Sequence, residues 1–176
     1  MLVVVMLGCL AAVAYAETPP LPEYDVKAAF LFNIVKFIDW PSEAFASSST
    51  PITIGILGQD PFGPILDRLV QGRVINQRRV IIRRASRVGD LKNAHLVFLS
   101  PSEASHAAEI CATLQTGPVI CVGDSEQTAP YVTINFSVEA GRIVFSVNRG
   151  PAERTGMKIS SKLLNLAKSV RAAITQ

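Results

Sequence analysis

The sequence is poor in the residue types that most catalytic and metal sites require. It has two histidines and three cysteines in 176 residues, and it contains none of the patterns G-x-S-x-G, H-E-x-x-H and C-x-x-C. Those patterns hold a nucleophile, zinc ligands or a redox-active pair in working geometry. We therefore expect no catalytic residue, no metal and no cofactor, and we predict that the protein is not an enzyme.

The two histidines leave a weaker alternative. His106 lies at helical spacing from Glu103 and Glu109, and such a trio could bind a metal ion weakly. A solvated helix face with ordinary ion pairs explains the same spacing, and we favour that interpretation. A hydrolase that uses His95 or His106 is the least favoured functional hypothesis.

Long runs of one charge are also missing, and the net charge is only +3. We therefore expect no nucleic-acid partner. In a strand over residues 78–86, Arg79, Ile81 and Arg83 share one face, and Val80 and Ile82 share the other. This pattern predicts a strand covered on both faces. Six arginines lie on this strand or close to its ends: Arg73, Arg78, Arg79, Arg83, Arg84 and Arg87. We interpret them as a solvated edge, with an acidic partner or lipid headgroups as the alternative.

The apolar run that opens the chain is too short to span a bilayer, which needs about 20 residues. It ends in Ala14-Tyr15-Ala16, the A-x-A pattern that signal peptidase accepts. We predict a signal peptide over residues 1–16, cleaved after Ala16, although no Lys or Arg precedes the run. Residues 17–24 contain three prolines and predict an extended lead-in to the domain.

Two cysteines, Cys111 and Cys121, remain after that cleavage. In an exported protein they are able to oxidise. Their separation along the chain permits either a disulfide closing a short loop or two buried thiols. Both alternatives stay open.

The hydrophobic pattern predicts a single α/β domain over residues 25–176, a sandwich with a largely parallel sheet flanked by helices. The alternating segments 131–138 and 142–148 enclose Glu139-Ala140-Gly141, which predicts an antiparallel hairpin near the C-terminus. A final helix is expected after the hairpin. Earlier strands are predicted at residues 52–58, 78–86, 95–100 and 119–123, and earlier helices at 61–70 and 102–115, the second capped by Ser102.

The stretch "KAAFLFNIVKFIDW" (residues 27–40) predicts an amphipathic helix. Polar residues spaced along its whole length exclude a membrane span. Phe32 and Trp40 fall on the polar side, where exposed aromatic rings need another surface to cover them. A partner protein is one such surface. The alternative for both rings is cover by the chain itself, with Trp40, next to Pro41, folded back under the following loop.

The last helical stretch, "KISSKLLNLAKSV", predicts a narrow apolar stripe of Ile159, Leu163, Leu166 and Val170. Leu164 lies off that stripe, and Lys158 and Lys162 are able to steer an acidic partner. Ser160 and Ser161 are interpreted as helix N-terminal hydrogen-bonding residues. The candidate partner-binding residues are therefore Phe32, Trp40, Leu164, Lys158 and Lys162.

Several segments resemble the YfiR family of exported bacterial proteins. They are "YDVKAAFLFNIVKFIDWP", "ITIGILGQDPFGPIL", "HLVFLSPSE", "PVICVGD", "IVFSVN" and "ERTGMKISSKLLNLAKSV", in that order. The resemblance covers residues 24–170, and the last segment is its most specific part. This chain departs from the family pattern at Ala129-Pro130-Tyr131 and after Asn148.

The resemblance implies a periplasmic repressor rather than an enzyme. Such a protein binds the periplasmic sensor domain of an inner-membrane diguanylate cyclase, or a similar signalling protein, and thereby controls cyclic di-GMP and biofilm formation. It also implies a possible homodimer. The resemblance further implies that folding depends on disulfides and that reducing conditions release the partner. Two mature cysteines exclude a framework of two disulfides, which puts redox control by that route in question. The alternative function is a periplasmic small-ligand-binding module, suggested by loops at the carboxyl ends of parallel strands.

Overall fold

The computed structural model describes residues 22–172, so the predicted signal peptide and residues 17–21 of the lead-in lie outside the described residues. The helices are α1 (Glu23–Val35), α2 (Pro64–Val70), α3 (Ala107–Leu114), α4 (Arg149–Arg154) and α5 (Ser161–Leu166). The strands are β1 (Ile38–Asp39), β2 (Ile52–Leu57), β3 (Val74–Ile75), β4 (Arg78–Ala85), β5 (Leu96–Leu99), β6 (Ile120–Gly123), β7 (Ile134–Glu139), β8 (Arg142–Asn148), β9 (Lys158–Ile159) and β10 (Ser169–Arg171). Short 3-10 helices cover Ser42–Ala44, Val88–Leu91 and Pro101–His106.

An eight-stranded sheet forms the centre of the fold, in the order β10-β8-β7-β6-β5-β2-β4-β3. Strands β4, β2, β5, β6 and β7 run parallel to one another, whereas β3 pairs antiparallel with β4 and β8 pairs antiparallel with β7. Strands β2, β5 and β6 are buried along their whole length, as expected for short apolar strands covered on both faces. The predicted α/β class, with a largely parallel sheet, a C-terminal hairpin and a helix after it, is confirmed.

Two hydrophobic cores lie on the two faces of this sheet. Helices α1 and α2 cover one face, where the Phe30 ring lies 5.8 Å from Phe136 and 5.9 Å from Phe145. Helix α3 and the Val88–Leu91 segment cover the other face. The hairpin turn uses Ala140 and Gly141, both with positive φ, which matches the twist of the flanking strands.

The helix predicted for residues 27–40 is wrong at both ends. Helix α1 begins at Glu23, so Glu23 and Tyr24 are helical rather than extended. It ends at Val35, and the chain then forms β1. Trp40 precedes a proline, which disfavours helical backbone there. Ile38 and Asp39 gain a strand partner in β9.

The last helix is also shorter than predicted. It covers only Ser161–Leu166, flanked by strands β9 and β10. The predicted apolar stripe is wrong as a consequence, because Leu166 is 67% exposed and Val170 43% exposed, whereas Leu163 is buried. Pairing of β10 with β8 replaces the last helical turns.

Two smaller predictions need correction. Ser102 does not cap an α-helix: the segment starts as a 3-10 helix after Ser100, and the Ser102 hydroxyl accepts a hydrogen bond from the Gln59 N–H at 3.0 Å. Strand β4 is covered on one face only, since Ile82 packs against the core while Ile81 is 36% exposed. Strand β3 was not predicted.

Between residues 22 and 172, the structure has no helix with the length and apolar character needed to span a membrane.

Candidate protein-binding site

A two-stranded antiparallel sheet brings together the two sequence motifs from opposite ends of the chain. Ile38 pairs with Ile159 and Asp39 pairs with Lys158. The Ser160 N–H extends the contact by donating to the Phe37 carbonyl at 2.9 Å. The isoleucines belong to the core or pack against it, whereas Asp39 and Lys158 are exposed. The segment around β1 and the segment around β9 therefore form one continuous surface.

The turn before β9 is fixed by the end of helix α4. The Met157 N–H donates to the Ala152 carbonyl at 3.0 Å, and the Gly156 N–H donates to the Glu153 carbonyl at 3.2 Å. These two bonds form a Schellman motif, which requires a left-handed residue after the helix. Gly156 provides it with φ of +74°, and the buried Met157 side chain anchors the turn. This local geometry directs the chain into β9.

Helix α5 begins directly after β9. The Ser160 hydroxyl accepts a hydrogen bond from the Lys162 N–H at 3.2 Å, which is the N-terminal role predicted for this serine. Leu163 faces the core. Lys162 and Leu166 are four residues apart and therefore share the exposed face. We refer to Lys36, Lys158, Lys162 and Leu166 as the lysine surface.

The lysine surface carries three positive charges, with the exposed carboxylate of Asp39 opposite Lys158 as a nearby negative charge. Within residues 22–172, none of its three lysines forms a salt bridge. Lys36 instead donates to the Asn33 side-chain oxygen at 2.9 Å and lies 4.4 Å above the Phe32 ring. An acidic partner would gain from this arrangement through electrostatic steering.

Two of the predicted partner-binding residues are less accessible than expected. Phe32 is only 9% exposed and belongs to the core, so its predicted exposure is wrong. It lies under the Lys36 ammonium group. Leu164 is partly buried against the core, because the helix that was expected to turn it outward is short. Leu166, which was predicted to face inward, is the accessible leucine, and no feature of the sequence separated the two.

Trp40 is half-buried against the loop that follows it. Its ring meets His95 edge-on at 5.9 Å, and Phe45 stacks on the other side of His95 at 4.5 Å. Arg78 covers Phe45 at 3.8 Å. The alternative in which Trp40 folds under the following loop agrees with this packing.

His95 has no ring nitrogen available for catalysis. Its Nδ1 accepts from the Thr53 N–H at 3.1 Å, so Nε2 carries the proton and donates to the Ala44 carbonyl at 3.1 Å. Burial lowers the pKa of His95, and the positive charge of Arg78 acts in the same direction. His106 is exposed, and residues 22–172 contain no group of three His, Cys, Asp or Glu side chains placed to hold a metal ion.

Cys111 on α3 and Cys121 on β6 are neighbours in the second core, and both are buried free thiols. Contact with the Cys111 thiol, followed by burial, raises the pKa of Cys121. The pair thus has the arrangement of the buried-thiol alternative, and a bridge between the two stays a prediction.

The first turns of α1 cover part of the sheet edge that is formed by the carboxyl ends of the parallel strands. The buried Lys27 ammonium contacts Asp124 Oδ2 at 2.8 Å, and the Tyr24 hydroxyl donates to the same oxygen at 2.9 Å. Burial, followed by the charge of Asp124, raises the pKa of Tyr24. The Tyr24 ring packs against Phe62 at 5.5 Å. These side chains fill the part of the crevice above β6, where an α/β sheet would otherwise bind a small ligand.

Residues 24–168 match the profile of the YfiR/HmsC-like family. The chain belongs to the YfiR/HmsC-like family. This finding confirms the family resemblance of the sequence. The YfiR-like family is a regulatory, non-catalytic family.

Solved structures support the fold alone. A conserved domain protein from Vibrio cholerae O1 biovar El Tor strain N16961 superposes with a TM-score of 0.55 at 10% identity, covering 85% of this chain and 60% of that one. This chain therefore spans about 60% of the length of the Vibrio protein. The ABC domain in complex with L-Trp from Streptococcus pneumonia gives a TM-score of 0.48 at 10% identity, covering 68% of this chain and 55% of that chain, and nothing is carried over from it. No curated protein matches the sequence.

Proposed function

We propose that this protein is an exported periplasmic regulator that binds the sensor domain of an inner-membrane signalling protein of the diguanylate cyclase type. By holding that partner inactive it keeps cyclic di-GMP low and restrains biofilm formation. Family membership supports the regulatory part of this proposal. The predicted signal peptide supports the periplasmic location, and the partner itself is inferred from the resemblance of the sequence.

The observation that carries the proposal is the lysine surface. The first and the last family motif are distant in sequence, yet β1 and β9 pair through Asp39 and Lys158. The exposed Lys36 precedes β1, and the exposed Lys162 and the 67% exposed Leu166 lie on α5, directly after β9. A basic surface with one accessible apolar side chain fits an acidic protein domain. Phe32 lies beneath Lys36, whereas Leu164 packs against the core and Trp40 packs against His95.

Inhibition by binding alone requires a difference in affinity between two states of the partner. The protein has to bind the inactive sensor more tightly than the active one, and the partner is then shifted toward the inactive state. A shift from mostly active to almost entirely inactive needs a difference of roughly 10⁴-fold. A signal that weakens the complex would release the cyclase without any chemical step.

Site-specific photocrosslinking in the native bacterium tests the proposal. A benzoylphenylalanine placed at Asn165, which is exposed on α5 between Lys162 and Leu166, is expected to crosslink to a membrane signalling protein with a periplasmic sensor domain. Replacing Lys158→Glu or Lys162→Glu in that background should each lower the crosslink yield about fivefold, since an interfacial charge contributes about 1 kcal/mol.

Two controls make the outcome specific. Lys92 is exposed beside the Val88–Leu91 segment, and the Lys92→Glu variant changes the charge by the same amount outside the lysine surface. It should leave the crosslink yield unchanged. Equal crosslinking from position 92, or loss of yield in Lys92→Glu, would show contact without specificity. Crosslinks confined to soluble proteins would contradict the proposal.

A further inference from the structure

The eight-stranded sheet ends at β3 and β4, and β4 has only a short partner on its outer side within residues 22–172. Strand β3 pairs only with Arg78 and Arg79, and the Val80 N–H donates to the Arg73 carbonyl at 3.1 Å. Backbone groups point to alternate sides along a strand, so Ile82 and Arg84 direct their N–H and C=O groups the same way as Val80. These two residues therefore present a row of donors and acceptors at an open edge.

One face of this edge is uncovered and mixes positive with apolar side chains. Arg79 and Arg83 are exposed, and Ile81 between them is 36% exposed. Val74 pairs with Arg79 in the β3–β4 register and is 60% exposed. Side chains spaced two residues apart along a strand match the period of an added strand with the same alternation.

The arginines on the opposite face are used within the fold. Arg84 binds Asp60 and Asp67 at 2.6 Å each, and these contacts lower the pKa of Asp67. Arg78 donates to the carbonyl groups of Ser47 and Thr50 at 2.8 Å and to that of Ser48 at 3.0 Å. These contacts fix the edge in place from its covered side.

The uncovered face keeps its positive charge. Among residues 22–172, Arg79 and Arg83 form no salt bridge. Arg83 reaches only the Asp90 carbonyl, at 3.5 Å, because the Asp90 carboxylate is occupied by Arg87 at 3.2 Å. The positive charge of this face therefore favours binding of a negatively charged partner.

We propose that the outer edge of β4 binds an extended acidic segment of another protein by strand addition. The N–H and C=O groups of Ile82 and Arg84 would pair with its backbone, which supplies affinity. Acidic side chains at alternate positions would contact Arg79 and Arg83, and an apolar side chain between them would pack on Ile81. This site shares no residue with the lysine surface, and β3 and β4 form the edge of the eight-stranded sheet opposite β10.

Two other occupants fit less well. A second copy of this chain would bring identical arginines together across the new strand pair, and like charges placed opposite each other destabilise a sheet. An anionic membrane surface would satisfy the arginines, but phospholipid headgroups cannot continue a backbone ladder. Of these three occupants, only an acidic strand both pairs with the unpaired backbone groups of β4 and neutralises the arginines.

Titration of the purified protein with labelled nine-residue peptides tests the proposal. The probe carries glutamate, valine and glutamate at every second position, with threonine between them, so that these three side chains share one face of the strand. Its matched control carries N-methyl groups on alternate backbone amides, which keep the charge but block strand pairing. We expect the probe to bind at least tenfold more tightly than the control. Arg79→Glu combined with Arg83→Glu should lower its affinity at least tenfold, whereas Lys158→Glu combined with Lys162→Glu should leave it unchanged.

Amide hydrogen exchange provides a second readout. It is measured on the unaltered protein, so misfolding of a variant cannot affect the result. The Ile82 and Arg84 amides should slow at least tenfold when the probe is bound. Unchanged exchange at both, or equal affinity for the N-methylated peptide, would overturn strand addition. Binding to phosphatidylglycerol vesicles that depends on Arg79 and Arg83, without peptide binding, would identify a membrane contact instead. Neither of these outcomes affects the crosslinking from Asn165.

Discussion

His95 lies between the rings of Phe45 and Trp40, and both of its ring nitrogens are hydrogen bonded to backbone groups. Protonation of Nδ1 would place a second proton against the Thr53 N–H, so the folded chain resists it. The pKa of His95 in the folded state therefore lies below the value of about 6.5 that applies in the unfolded chain.

This difference predicts a loss of stability in mild acid. As the pH falls below about 6.5 the unfolded chain takes up the proton first, so the contribution of His95 is complete above that pH and declines below it. We expect the free energy of unfolding to fall between pH 6.5 and 5.5, by at most about 1 kcal/mol, which is the limit for one histidine that stays neutral in the folded chain. Urea denaturation at a series of pH values measures it.

Two variants locate the effect. His95→Gln should be less stable at pH 7.5 and should lose less stability on acidification. His106→Gln removes the exposed histidine and should retain the full decline, because His95 is still present. A decline that persists unchanged in His95→Gln would assign the pH dependence to another group.

The cysteine pair gives a second prediction at the scale of single residues. Cys111 is 2% exposed and Cys121 fully buried, and both are free thiols in the structure. A thiol reagent should therefore find no reactive group in the native protein and two groups after unfolding in guanidinium. If unfolding without a reductant exposes no thiol, the two cysteines are bridged in the exported protein.

The connection between helix α4 and strand β9 shows how the backbone conformation of one residue positions the lysine surface. Gly156 adopts φ of +74° in the Schellman motif that ends α4, and β9 begins two residues later. A Cβ atom at this position would come only within 3.9 Å of Pro41, which is an ordinary contact. The requirement for glycine is therefore conformational rather than steric.

Replacing Gly156→Ala should lower the free energy of unfolding by about 1 kcal/mol, the cost of left-handed backbone in a residue with a Cβ atom. Gly89→Ala is the matched control, because Gly89 has no positive φ and open space around it. Its stability should change by no more than about 0.5 kcal/mol. Equal effects of the two substitutions in chemical denaturation would contradict the conformational explanation.

At the scale of the whole molecule, the parallel sheet and its hairpin could be predicted because they depend on local signals. Short apolar runs produce β2, β5 and β6, and Ala140-Gly141 produces the turn. The ends of α1 and α5 could not, since β1 and β10 form only by pairing with distant strands. Because α5 is short, Leu164 is partly buried and Leu166 is exposed, which is the reverse of the prediction. Lys158 and Lys162 were proposed from the sequence, whereas Lys36 and Leu166 entered the candidate site only from the structure.

We propose that the lysine surface holds a membrane-bound cyclase inactive. The concentration of cyclic di-GMP in the native bacterium tests this role most directly. Deleting the protein should raise cyclic di-GMP, and restoring the unaltered chain or Lys92→Glu should lower it again. The variant that combines Lys158→Glu with Lys162→Glu should accumulate normally, with an unchanged melting curve, yet leave cyclic di-GMP high. A deletion without effect, or full restoration by the double variant, would contradict the account.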